Sequence, residues 1–288
     1  MTFPDSENPP SEFPSRPTPV GAPEAHLPRP DENVPEDIRT AWGGGELLLL
    51  MGFAIGSLFL MEIVLELFLI AHYHMNLQQL KQFAGTSAAL NVSVETVWSG
   101  LIFLFLFWTI RVYHRQPFWS SLRWRLLQPR DVAPAVLYLI CIFGGIALAF
   151  ANTAISSLVG ETKNVPIQQL LGTRANVLWF MVFGICVAPF FEETIFRGYL
   201  YPVFARKWGI PAGIFITGLL FGLMHSLQLW GAWPQVGLLI VVGIILTFAR
   251  ARTGSVLASY LIHVSYNLLL FGGFFLTTHG LKNIPPLH

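Results

Sequence analysis

Charge is what this 288-residue sequence has least of: Asp, Glu, Lys and Arg make up 11% of it, against about 25% in soluble globular domains. Acids and bases nearly cancel, at 16 and 17, for a formal net charge of +1. There is no basic face or stripe of the kind that draws nucleic acid, and no nucleic-acid partner is expected. Cysteine is as scarce. Cys141 and Cys186 both lie inside apolar runs, which leaves no disulfide framework and no cysteine cluster for a metal. What fills the space instead is hydrophobic residues, 53% of the chain, with a mean hydropathy of +0.57. The solvent for most of such a chain is lipid.

The first 40 residues are the exception. They are polar and acidic and hold ten of the 20 prolines, a composition that cannot bury enough apolar surface to order itself. Residues 1–42 are therefore expected to be a disordered tail. The charged start and short apolar core of a signal peptide are missing, and the first apolar run begins near Glu46, so no cleavage is expected.

Crossing about 30 Å of hydrocarbon takes roughly 20 apolar residues in a helix. Seven segments bounded by charge, Gly or Pro come near that length: 47–71, 97–113, 132–152, one starting near Asn176, 211–229, 236–249 and 255–277. The second is marginal and the sixth is short. The expected fold is an all-α polytopic bundle of about seven helices, with N-terminal membrane helices over 43–153 and a second membrane domain over 154–279.

Lys and Arg in short loops stay cytoplasmic. Arg111, Arg115, Arg123, Arg125 and Arg130 follow the second segment, and seven alternating crossings put Arg206, Lys207, Arg250 and Arg252 on the same side. The opposite loops hold only Lys81, Lys163, Arg174 and Lys282. The expectation is a multi-pass protein of the plasma (inner) membrane, N-terminus cytoplasmic and C-terminus outside.

Pro189 raises a question about the fourth segment. If the helix ended there, Glu192 and Glu193 would lie at a membrane surface. The alternative is one helix from about 176 to 208, kinked at Pro189 and running on through Gly198. In that case Glu193 lies about 22 Å from Trp208, and His225 about 21 Å beyond Pro211 on the returning helix. His263 and Asn267 lie about 14 and 20 Å in from Gly254. Polar groups from three helices then share one depth.

Ionisable groups at that depth need an enclosed or wet surrounding and a partner. Glu193 and Arg197, four apart, share a helix face and can pair. Glu192 is turned about 100° away and is left for another partner. His263 and Asn267 also share a face, and an imidazole N–H with a carboxamide NH2 makes a pair of donors for a developing oxyanion. The plain reading of each is interhelical hydrogen bonding.

Taken together, Glu192-Glu193-x-x-x-Arg197, Phe221-x-x-x-His225 and His263-x-x-x-Asn267 resemble the three motifs of the CAAX prenyl protease 2 and bacteriocin-processing family, also called type II CAAX endopeptidases or the Abi family. The resemblance covers about 180–270. It implies an intramembrane glutamate endopeptidase in which Glu192 and His225 activate water, Glu193 and Arg197 are the orienting pair, and His263 and Asn267 hold the oxyanion. It implies no cofactor, and a peptide or protein substrate that can be lipid-modified.

Three other readings stay open on the sequence. Glu192, His225 and His263 could ligate zinc, although a His-Glu-x-x-His helix is absent. The fold could serve as a non-enzymatic scaffold or immunity protein. Buried Glu, Arg and His also mark transport pathways, but no internal repeat is evident. Glu62 and Glu66 share a face of the first helix and are expected to pair within the bundle. His72 and His74 are expected to be solvated loop residues. The end of the chain, 281–288, carries no Cys-a-a-X box of its own.

Overall fold

Ten helices make up nearly all of the ordered chain in the computed structural model, which describes residues 34–128, 133–159 and 165–284. Residues 1–33 of the expected tail, with Arg130 and Lys163, lie outside the described residues. The helices are α1 (Gly44–Tyr73), α2 (Leu77–Thr86), α3 (Ala88–Tyr113), α4 (Phe118–Ser121), α5 (Pro134–Val159), α6 (Pro166–Leu170), α7 (Arg174–Trp208), α8 (Ile210–Met224), α9 (Trp233–Thr253) and α10 (Val256–Thr277). Six of them, α1, α3, α5, α7, α9 and α10, are long and apolar enough to cross a membrane. The all-helical, multi-span reading holds, as six long helices and a seventh, α8, of 15 residues. At 1.5 Å per residue α8 is about 22 Å long, short of the hydrocarbon thickness.

Local chemistry explains where the boundaries differ from the apolar runs. The second span starts at Ala88 rather than 97 because the Ser87 hydroxyl caps it, accepting from Leu90 N. The sixth runs to 21 residues because Pro234 suits its first turn and Arg250 and Arg252 extend its last. The fifth is shorter than expected, ending at Met224, where Ser226 to Gly231 form turns. Helix α2, which the apolar runs do not reveal, is fixed by a reciprocal cap between Asn76 and Gln79.

Helix α7 is continuous over 35 residues, but it is not uniformly wound. Two stretches, Phe183–Val187 and Thr194–Leu200, are wide π-type turns. Each ends two residues before a proline, Pro189 and Pro202. A proline donates no N–H to the carbonyl four residues back and its ring crowds that carbonyl. Those carbonyls belong to residues 185 and 198, inside the wide stretches, so widening absorbs the conflict and the helix continues past both prolines. Glu192 and Glu193 lie between the two stretches.

Helix α7 also divides the core. Phe196 packs with Phe221 of α8, Val242 and Leu246 of α9, and Ala258, Ile262 and Tyr266 of α10. Tyr199 and Val203 join a second cluster with Ile102, Leu106 and Ile110 of α3 and with Trp42. The turn from α7 into α8 is the single residue Gly209, whose φ of +87° costs glycine little. The hairpin continues as α8 lies against α9 at Gly218 and Gly222, where a Cβ would come within 2.6 Å of the Ile244 and Ile240 backbone nitrogens. Small residues let membrane helices approach this closely.

The last residues before α1 are tied to one end of the bundle. Trp42 is buried, stacks on Tyr199 at 4.9 Å and donates its indole N–H to Tyr199 O. Arg206 donates to Thr40 O and Trp42 O, Arg250 pairs with Asp37, and Arg123 pairs with Glu36. Three of the basic positions used to orient the chain are thus gathered at one end.

Candidate active site

Between its two wide stretches α7 presents two adjacent glutamates to different surroundings. Glu193 is fully buried and accepts from Arg197 Nη1 at 3.0 Å. Arg197, also fully buried, spends its other donors on α9, with Nη2 to Gly243 O at 2.9 Å and Nε to Thr247 Oγ1 at 3.2 Å. Its guanidinium lies 4.4 Å from the centre of the Phe221 ring. A buried charge pair is tolerable when the remaining donors are met in this way. One acceptor is left over: among the described residues Glu193 Oε2 has no hydrogen-bond partner, and the nearby Ser259 hydroxyl donates to Val256 O.

Glu192 faces the more open side. Its side chain is 18% exposed and that of His225 is 21% exposed, whereas Glu193 and Arg197 are at 0%. His225 Nε2 stands 3.9 Å from Glu192 Oε1, and His263 Nε2 stands 3.7 Å from Glu192 Oε2. Both separations exceed a direct hydrogen bond.

The two histidines are held by their other nitrogens. Because α8 ends at Met224, the backbone N–H of His225 turns to Gly222 O, and Phe221 O is free to take the ring Nδ1 at 2.9 Å. A carbonyl only accepts, so Nδ1 carries the proton and a neutral His225 has a bare Nε2. This capping position is what the expected longer helix would have removed. His263 sits on α10, 5% exposed, with Nδ1 3.0 Å from Glu193 Oε1. If it donates there, it donates through Nε2 as well only when the ring carries both protons.

Asn267, one turn along α10, gives an amide hydrogen to Gly184 O at 2.7 Å. It braces the first wide stretch of α7, a partner the spacing did not foretell. Two further residues were missed. Thr247 is buried in α9 and completes the shell of Arg197; a lone Thr in an apolar run gave no signal. Glu95 of α3 is half-buried and close enough to feel the charge of Glu192. An acid in an apolar stretch was the available signal, but the second span was drawn from 97 and left it out.

Other polar groups do not join the site. Glu62 and Glu66 are exposed and make no hydrogen bond or ion pair among the described residues, so they do not pair within the bundle. His72 stacks on Phe68, and His74 takes a left-handed conformation at the end of α1. Among the described residues no three His, Cys, Asp or Glu side chains are grouped to hold a metal ion.

Residues 174–269 match the family model for type II CAAX prenyl endopeptidases, Rce1-like, and this part of the chain is a domain of that family. Two curated relatives are similar over less than half of this chain. An uncharacterized 24.3 kDa protein of Escherichia coli is 31% identical over 144 residues, 49% of this chain and 61% of the relative. The UPF0177 protein YbdI of Lactococcus lactis subsp. lactis strain IL1403 is 29% identical over 134 residues, 45% of this chain and 67% of the relative. The chain thus spans about three fifths of the first of these. No solved structure matches it significantly.

Proposed function

From the Rce1-like domain at residues 174–269, we propose that the protein is a membrane-embedded endopeptidase that hydrolyses a peptide bond with a water activated by Glu192 and His225. The observation that carries this reading is the facing of Glu192 Oε1 and the bare His225 Nε2 at 3.9 Å on the open side of the cluster. One water spans such a gap with a hydrogen bond to each. Removal of its proton to Glu192 frees the oxygen to attack the substrate carbonyl carbon. The carbonyl oxygen becomes an oxyanion, and the same proton then goes to the leaving amine as the C–N bond breaks.

Stabilisation of the oxyanion falls to His263 through Nε2. A doubly protonated ring there would face Glu192 and Glu193, so its charge is matched. Asn267 can add its second amide hydrogen, the first being held by Gly184. Glu193 and Arg197 touch neither water nor carbonyl; they fix His263 and the wall of α9. The reading needs no nucleophilic serine or cysteine and no metal. We read the basic end, gathered around Glu36 and Asp37, as cytoplasmic, and the membrane as the plasma (inner) membrane.

The substrate class is a peptide or protein, with a prenylated C-terminal segment as the specific form that the family name carries. The test compares the proteomes of cells carrying wild type, Glu192→Ala and His225→Ala. A precursor that accumulates in both variants, at unchanged expression and membrane insertion, is the expected result. A cellular phenotype that survives both substitutions contradicts the reading.

A further inference from the structure

Helices α8 and α9 are closest at Gly218 and Gly222. Beyond those contacts, toward Ile210 and Arg252, the pair encloses a groove of about 540 Å³. Its walls include Ile214 and Phe215 of α8 and Ile244, Phe248 and Ala251 of α9, all apolar, and Arg252 at the rim. Phe215 and Phe248 are more than half exposed, so the groove opens sideways onto the lipid. It lies at the opposite end of α8 from His225 and contains none of the residues of the site.

Charge marks what fits there. Arg123, Arg206 and Arg250 at this end are all tied to the segment 36–42. Arg252 is exposed and has no hydrogen bond or ion pair among the described residues. Trp208, 52% exposed one residue before the Gly209 turn, is an aromatic of the kind that settles at headgroup level. The first turn of α8, with Ile210 and Pro211, lines the same rim. From Arg252 to Ile244 the groove follows α9 for about 12 Å into the hydrocarbon.

We propose that this groove is a binding site for an anionic phospholipid, one acyl chain lying between α8 and α9 and the phosphate resting on Arg252. A free phosphate would make no use of the apolar walls. A zwitterionic lipid would gain nothing net from the arginine, and an isoprenoid tail alone would leave it unanswered. A basic residue near the surface favours anionic lipid by about fivefold.

The test is native mass spectrometry of the full chain in detergent, titrated with phosphatidylglycerol or phosphatidylcholine of identical chains. Wild type is expected to take up phosphatidylglycerol about fivefold more tightly. Arg252→Gln should abolish the preference, Arg252→Lys should keep it, and Ala251→Phe should weaken uptake of both lipids, each variant holding the wild-type thermal transition. Equal uptake of the two lipids by wild type, or a preference unchanged in Arg252→Gln, overturns the proposal. Displacement of bound phosphatidylglycerol by equimolar glycerol phosphate would make the site a plain anion site, and displacement by geranylgeranyl-cysteine methyl ester a prenyl site; either result also overturns it.

Discussion

Helices α1 and α7 both carry acids inside an apolar run, and the surroundings treat them differently. In α1, Glu62 and Glu66 share a face, but only 6% of that helix's most apolar 18 residues are buried, and both acids stay exposed without a partner among the described residues. In α7, Glu193 finds Arg197 on its own face, and α9 and α10 supply Gly243, Thr247 and His263 around the pair. Paired acids in a membrane helix become a site only where neighbouring helices bring the groups that answer them. α10, which brings His263, is the contrasting span, with 39% of its most apolar 18 residues buried.

Removing the acids of each helix in turn separates the two surroundings. Glu192→Ala and His225→Ala are each expected to cut peptide hydrolysis by at least about 10²-fold, the lower range for a general base, as measured by conversion of an accumulated precursor. Next in size is the clamp. Arg197→Ala takes the guanidinium from a buried Glu193 and leaves only His263 beside it, and should cost about 3–5 kcal/mol of stability, read as a lowered unfolding midpoint in detergent. Replacing both partners, Glu193→Gln with Arg197→Met, should recover part of that loss.

Packing comes third. A Cβ at Gly145 of α5 would lie 2.1 Å from Ser265 Oγ and 2.2 Å from Ile262 O, so Gly145→Ala must push α5 from α10 beside His263. A cost of about 1–3 kcal/mol is expected, seen as a lower midpoint with some loss of turnover. Smallest is the pair in α1. Glu62→Ala with Glu66→Ala should shift stability by no more than about 0.5 kcal/mol and leave turnover unchanged. A large loss there would mean that α1 is answered by a partner after all.

Much of the site could be read in the sequence because helical spacing and rise are regular. Four-residue spacing paired Glu193 with Arg197, and depth along three helices brought Glu192, His225 and His263 to one level. What spacing cannot give is which atoms face each other. His263 reaches Glu193 through Nδ1 and turns Nε2 to Glu192, a division that depends on how α10 is rotated against α7. Asn267 looked like a second oxyanion donor and is found on Gly184 O because a π-type turn, caused by a proline five residues later, leaves that carbonyl within reach. Trp42 was read as the end of the tail; its place against Tyr199 depends on a contact 157 residues away, which no local pattern carries. The family likeness lay in three short motifs on α7, α8 and α10, and the matched region, 174–269, spans them.

Of two neighbouring glutamates, Glu192 faces His225 in the open and Glu193 is sealed against Arg197. The direct test is cleavage of the accumulated precursor by purified Glu192→Gln and Glu193→Gln, each beside its unfolding midpoint. Glu192→Gln is expected to lose cleavage at a wild-type midpoint, and Glu193→Gln to lower the midpoint. Cleavage retained by Glu192→Gln, with Glu193→Gln alone inactive at an unchanged midpoint, would contradict this division of labour between them.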